Sequence, residues 1–286
     1  MNHENERFAR KYGPWALVAG GSEGIGRSYA LQLASRGLNL ILVARRQQPL
    51  DATAREILEH FDVQVSTHSA DLTTLDPEHG LDEIVDGREV GLLVYNAGAT
   101  HGAGFLIDNP LRNALGLVRL NCMGPLILVH SLGSRMRDRG RGGIILMSSM
   151  SALGGGGYVA AYAATKAFDR ALAEALWWEF GAFGVDVLGL LAGATATPAM
   201  ERSTVRFDRA DADVAMRKLN IVPMTPDEVV GEALEHLGQG PIWIAGEKNR
   251  ATAARLSQMP RDEVVRLMGE ASAGMHGLPL PVRTGA

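Results

Sequence analysis

The chain has one cysteine, Cys122, among 286 residues, and no block of like charge or internal repeat. It shows no apolar run approaching the roughly 20 residues that a membrane helix needs. A single cysteine excludes an internal disulfide and a cysteine-rich metal cluster. Its neighbours, Leu120 and Met123, suggest a small buried residue. A net charge of −4 gives no case for nucleic acid as a partner. The polar stretch 1–11 carries no signal-peptide pattern. His101, His130 and His236 lack metal-ligand spacing, so no metal is expected. What remains is a soluble, cytoplasmic protein without a membrane span. Its 46% hydrophobic and 21% charged residues have globular balance.

Short apolar runs alternate with helical patterns from end to end. The strand candidates are 15–19, 38–44, 63–68, 90–95, 143–147, 185–191 and 242–244. Such alternation predicts a doubly wound α/β fold of the Rossmann type: one domain with a parallel sheet and helices on both faces. Residues 1–246 are expected to form the nucleotide-binding and catalytic part, with a lid near 194–220, and residues 247–286 a helical extension and tail. Helices are expected at 27–36, 49–60, 75–86, 110–136 and 160–178, with a kink at Gly124-Pro125. Thr225-Pro226-Asp227-Glu228 has the form of a capping box with Pro at the first helical position. A further helix, 250–271, should break near Pro260, and the tail from Ser272 should be poorly ordered.

Four stretches point to chemistry. The first strand runs straight into Gly20-Gly21-Ser22-Glu23-Gly24-Ile25-Gly26 and then a helix. That order aims backbone N–H groups and a helix N-terminus at a phosphate. The second strand ends in Arg45-Arg46, with no acidic residue between Gly37 and Leu50. An Arg at that strand end accommodates an adenosine 2′-phosphate, whereas an acidic residue would bind a 2′-hydroxyl. The predicted cofactor is therefore NADP(H) in preference to NAD(H). Asn121 is a polar residue in an apolar helical segment and needs partners if buried. Finally, Tyr162 and Lys166 lie four apart in an Ala-rich helix and share one face. An ammonium fixed beside a phenol favours the phenolate, and a phenol so placed can donate and accept a proton. Ser149, at the end of a strand, can offer a hydroxyl to a substrate oxygen.

Together these residues resemble the short-chain dehydrogenase/reductase family, over about 15–246. The resemblance implies a catalytic set of Asn121, Ser149, Tyr162 and Lys166. It prefers Ser149 to Ser148 and Ser151 by its spacing to Tyr162. It places Gly20, Ser22, Glu23, Gly24, Ile25 and Gly26 at the cofactor's phosphates and Arg45 at its ribose. Asp71 and Leu72 would meet the adenine, with Asn96, Ala97 and Gly98 at the turn after the fourth strand. Tyr162 and Lys166 would hold the nicotinamide ribose, and Gly193, Thr195 and Thr197 would close over it. Three positions depart from the family's pattern: Ala19 stands for Thr, Ala192 for Pro, and Glu23 for a basic residue of the glycine turn. The implied reaction interconverts a ketone and a secondary alcohol by hydride transfer, with Tyr162 as general acid and base. Val205, Phe207 and Met216 in the lid suggest a hydrophobic small-molecule substrate, steroid-like or 3-oxoacyl-like. The alternatives are an NADP(H)-binding sensor without turnover and an NAD-linked alcohol dehydrogenase. A homodimer or homotetramer is expected from the family.

Overall fold

The computed structural model describes residues 3–100, 102–203, 205–206 and 217–281. In chain order the elements are α1 (His3–Tyr12), β1 (Trp15–Ala19), α2 (Gly24–Ala34), β2 (Asn39–Ala44), α3 (Gln47–His60) and β3 (Val65–Ser69). There follow α4 (Gly80–Val85), β4 (Val90–Tyr95), α5 (Leu111–Val118), α6 (Gly124–Arg139), β5 (Gly142–Ser149) and α7 (Ala160–Gly181). Then come β6 (Val185–Ala192), α8 (Pro198–Glu201), α9 (Pro226–His236), β7 (Ile242–Ile244), α10 (Glu247–Ser257) and α11 (Arg261–His276).

The seven strands form one parallel sheet in the order β3-β2-β1-β4-β5-β6-β7. Side chains alternate across the sheet, so each strand feeds two cores. Ala16, Val18, Leu40, Leu42, Val94 and Ile145 pack with Tyr29 and Leu33 of α2 and Val230 of α9. Leu17, Ile41, Val43, Leu93, Ile144 and Val187 pack on the other face with Leu132 of α6 and Ala173 of α7. Burial on both faces is why these strands read as continuous apolar runs rather than alternating ones. The chain moves outward from β1 in both directions, to β2 on one side and β4 on the other. That reversal opens a crevice at the carboxyl ends of the strands.

Several expectations need correction. The helix expected over 75–86 shrinks to α4, because the Asp76 carboxylate accepts the N–H groups of Glu78 and His79 and ties the preceding residues into a turn. The same backbone bonds hold Asp76 below the usual carboxylate range. Residues 3–12 form a helix that was not anticipated; it is tied to the sheet by Tyr12 and Lys11, both bonded to Asp186. The expected tail begins too early, since Ser272 and Ala273 are buried within α11. The break near Pro260 falls between α10 and α11. The helical segment Leu111–Arg139 is long and apolar enough to cross a membrane by length and composition, but half of its most apolar stretch is buried inside the protein, as in a core helix. His101, Phe207 and Met216 lie outside the described residues, as does part of the expected lid.

The kink at Gly124-Pro125 takes the form of a π-helical turn, Arg119–Met123, between α5 and α6. Pro125 cannot donate a backbone hydrogen bond, which loosens the helix just upstream. The Tyr95 hydroxyl inserts there and donates to the carbonyl of Leu120 at 2.5 Å. Gly124 makes room for it; a Cβ would fall 2.0 Å from that hydroxyl. Cys122, on this turn, is only half-buried, contrary to expectation.

Thr225 and Glu228 make the expected reciprocal capping box at the start of α9. Thr225→Ala should therefore cost about 1 kcal/mol of stability. Urea titration should show a lower midpoint with an unchanged slope.

Candidate active site

A cavity of about 580 Å³ opens at the carboxyl edge of the sheet, over the β1/β4 reversal. Its floor at one end is the glycine turn between β1 and α2, lined by Gly20, Ser22, Glu23, Gly24 and Ile25. Gly20 and Gly24 have φ values of +84° and +55°, which favour glycine. Gly26 does not line the cavity; it lets α2 pack against the turn. A Cβ there would sit 1.8 Å from the Gly20 carbonyl oxygen and 2.7 Å from Asn96 Nδ2. Asn96 ties the end of β4 to this turn by donating from Nδ2 to the Gly20 carbonyl at 3.0 Å. Ala97 and Gly98 continue the wall.

Arg45 and Leu72 line the same end of the cavity. Asp71 does not; its carboxylate accepts the N–H and hydroxyl of Thr73, at 2.9 and 2.8 Å. The backbone bond from Thr73 is the main cause of its depressed pKa. Glu23 sits between two guanidinium groups, Arg46 at 2.9 Å and Arg202 just past α8. Burial opposes its ionisation, but the hydrogen bonds from Arg202 and Arg46 hold Glu23 below its ordinary range. Arg202 thereby links the segment after β6 to the glycine turn across the cavity mouth. Gly193, Thr195 and Thr197 line that segment, and Thr197 caps α8 by accepting the N–H of Met200 at 3.2 Å.

Ser149, Tyr162 and Lys166 share the central wall. Ser149 is the last residue of β5, and its hydroxyl accepts the N–H of Ser151 at 3.2 Å. Tyr162 lies in the first turn of α7, and Lys166 lies one turn further on. Lys166 is 6% exposed, and its ammonium donates to the Met147 carbonyl at 2.7 Å and to Asp169 Oδ2 at 2.9 Å. Asn121 stands behind the wall rather than on it. It is fully buried in the π-helical turn and donates from Nδ2 to the Thr165 hydroxyl at 2.9 Å. Thr165 in turn donates to the Tyr162 carbonyl at 2.8 Å, so Asn121 braces the turn of α7 that carries Tyr162.

These residues fit a dinucleotide. The glycine turn and the N-terminus of α2 present backbone donors of the kind that hold phosphates. A side chain at Gly98 would place its Cβ 3.5 Å from Lys166 Nζ and 3.7 Å from Asn121 Oδ1. Glycine there keeps the space before the ammonium open. Asn121 Oδ1 is buried without a hydrogen-bond partner, an acceptor facing the same pocket of space.

The other half of the cavity is apolar and roofed by the C-terminal helices. Leu256 of α10 and Met268 and Met275 of α11 contribute, with Leu219 and Ile221 beside them. Three features escaped the sequence reading: the Arg202 link, this roof, and Asp169. Asp169 was legible in principle, since Ala163, Lys166, Asp169, Ala173 and Leu176 repeat at helical spacing on one buried stripe of α7.

The profile of the short chain dehydrogenase family matches residues 14–206. A 7beta-hydroxysteroid dehydrogenase of Clostridium sardiniense is 30% identical over 263 residues, covering 92% of this chain and 97% of that protein. A solved structure of a 7beta-hydroxysteroid dehydrogenase superposes with a TM-score of 0.82 at 28% identity, over 91% of this chain and 98% of the other. A short-chain dehydrogenase from Sphingobium yanoikuyae, solved in complex with NADPH, gives a TM-score of 0.71 at 26% identity, over 87% and 97% of the two chains. With the fold, the glycine turn and the Tyr162–Lys166 wall in place, the chain belongs to the short-chain dehydrogenase/reductase family of oxidoreductases.

Proposed function

We propose that this protein is an NADP(H)-dependent oxidoreductase that interconverts a ketone and a secondary alcohol on a hydrophobic, steroid-like small molecule. The observation that carries this reading is the cavity that joins the glycine turn, Arg45, the Ser149–Tyr162–Lys166 wall and an apolar roof. When bound, the nicotinamide supplies or accepts the hydride. The Tyr162 hydroxyl gives its proton to the substrate oxygen in reduction and takes it back in oxidation. Ser149 holds that oxygen by a hydrogen bond. Lys166 holds the ribose hydroxyls with a hydrogen not committed to Met147 or Asp169. The protein's share of the rate comes from placing these groups before the reacting carbon and excluding water.

Preference for the phosphorylated cofactor rests on Arg45. Among the described residues on this part of the wall, Glu23 already engages Arg46 and Arg202. Arg45 thus supplies the guanidinium for a 2′-phosphate at the end of β2. NADPH in the Sphingobium relative supports the same choice. Glu23 is the feature that favours the second reading, an NAD-linked enzyme, because it withdraws two of three guanidinium groups. The apolar half of the cavity, and the steroid named for two relatives, support a rigid hydrophobic substrate. Exposed Leu111, Leu115, Met123, Trp178 and Phe183 on α5, the π-helical turn, α7 and the residues after it support a homodimer or homotetramer. The cytoplasm is the proposed location. Residues 247–281 are read as an extension that completes the substrate half of the cavity.

Tyr162→Phe should lower kcat about 10²–10⁴-fold for any ketone found active in an NADPH absorbance panel, with NADPH binding retained. Full activity in that variant overturns the assignment. Arg45→Ala should weaken NADPH binding about tenfold or more, the size of one lost charge-assisted contact, and leave NADH nearly unaffected. Equal losses for both cofactors would favour the NAD-linked reading.

A further inference from the structure

The buried carboxylate of Asp169 has no part in the reaction as proposed above, yet it is in contact with Lys166. Asp169 is 2% exposed, three residues after Lys166 on the buried stripe of α7. Its Oδ2 accepts from Lys166 Nζ at 2.9 Å, and its Oδ1 is buried without a hydrogen-bond partner. An ammonium has three hydrogens. One goes to the Met147 carbonyl at 2.7 Å and one to Asp169, which leaves one for the cavity. A Lys side chain has four rotatable carbons and would otherwise sample many directions.

Building on the functional reading above, we propose that Asp169 is a positioning residue: its carboxylate holds the Lys166 ammonium from behind, so that the remaining N–H is aimed at the nicotinamide ribose and at Tyr162. The ion pair also gives the buried ammonium a partner in place of water. The other titratable groups facing Asp169 are Tyr95 on β4 and Cys122 on the π-helical turn. Both are raised by burial and stay neutral near pH 7, the Cys122 thiol to about 11. Lys166 is therefore the one cation in this group. Burial pushes the Asp169 carboxyl up to about 6, against the opposing pull of Lys166.

The sign of the pH effect follows. Above that value the carboxylate is ionised and the hold on Lys166 is ionic. Below it the carboxyl takes a proton, the ionic hold is lost, and the ammonium is free to turn. An acid limb in the reductive rate belongs to the Asp169–Lys166 pair and reports a property of the pair.

The test uses the full chain with NADPH and two ketone probes, a 7-oxosteroid and a long-chain 3-oxoacyl thioester. NADPH binding is followed by fluorescence and reduction by absorbance, from about pH 5 to about pH 8. Wild type should lose rate on the acid side with a midpoint near 6. Asp169→Asn, which keeps the size and an acceptor, should lower kcat at pH 7.5 about tenfold or more and flatten the acid limb, with NADPH still bound. A wild-type rate that is level down to about pH 5, or an Asp169→Asn protein with the wild-type rate and limb, overturns the inference. The wild-type profile decides the question if the variant does not fold. A wild-type protein that neither binds NADPH nor reduces either probe overturns the functional reading and this inference with it. An active wild type indifferent to position 169 overturns the inference alone.

Discussion

A charged ammonium buried at the carboxyl edge of the sheet is the constraint around which the rest of the site is arranged. Lys166 survives there because the Met147 carbonyl and the Asp169 carboxylate replace two of its waters. Removing one partner of a buried ion pair typically costs about 3–5 kcal/mol, because the other is left uncompensated. The surrounding structure is correspondingly over-determined. Ser148 donates to the Lys166 carbonyl at 2.7 Å, which locks α7 to the end of β5. Thr165 and Asn121 lock the same helix to the π-helical turn. Three elements thus meet at one turn of α7, and the side chain of Tyr162 inherits its position from all of them.

The parallel sheet provides the platform. Strands buried on both faces supply a rigid base, and their carboxyl ends carry the small residues that leave a cavity. Glycine is required at a few points for separate physical reasons. Gly20 and Gly24 need positive φ, and Gly26 and Gly124 need close approach. The C-terminal helices complete the opposite wall with Leu and Met side chains that carry no fixed hydrogen-bond pattern. Methionine adapts to irregular apolar shapes, which suits a roof over a hydrophobic molecule.

Much of this was readable from the residues alone, because local chemistry dictated it. Strands β1, β4 and β7 and the capping box of α9 come from unbroken apolar runs and a four-residue signal, and no tertiary contact competes with them. The glycine turn and Tyr162–Lys166 were legible as spacings. Tertiary interactions hid the rest. The π-helical turn depends on the Tyr95 hydroxyl, which is remote in sequence. The shortening of α4 is local instead: Asp76 takes the N–H groups of Glu78 and His79 in a turn, in competition with a longer helix. The pairing of Glu23 with Arg202 joins residues 179 positions apart, too distant for any local pattern to register. Asp71, expected at the adenine, instead bonds Thr73 and caps a turn.

A crystal structure of the protein with NADPH bound tests the central claim most directly. It should show the pyrophosphate on the glycine turn, the 2′-phosphate at Arg45, and the nicotinamide ribose within hydrogen-bonding distance of Lys166 Nζ, with Asp169 still behind it. A dinucleotide seated elsewhere, or a Lys166 ammonium turned away from the ribose, would contradict the account.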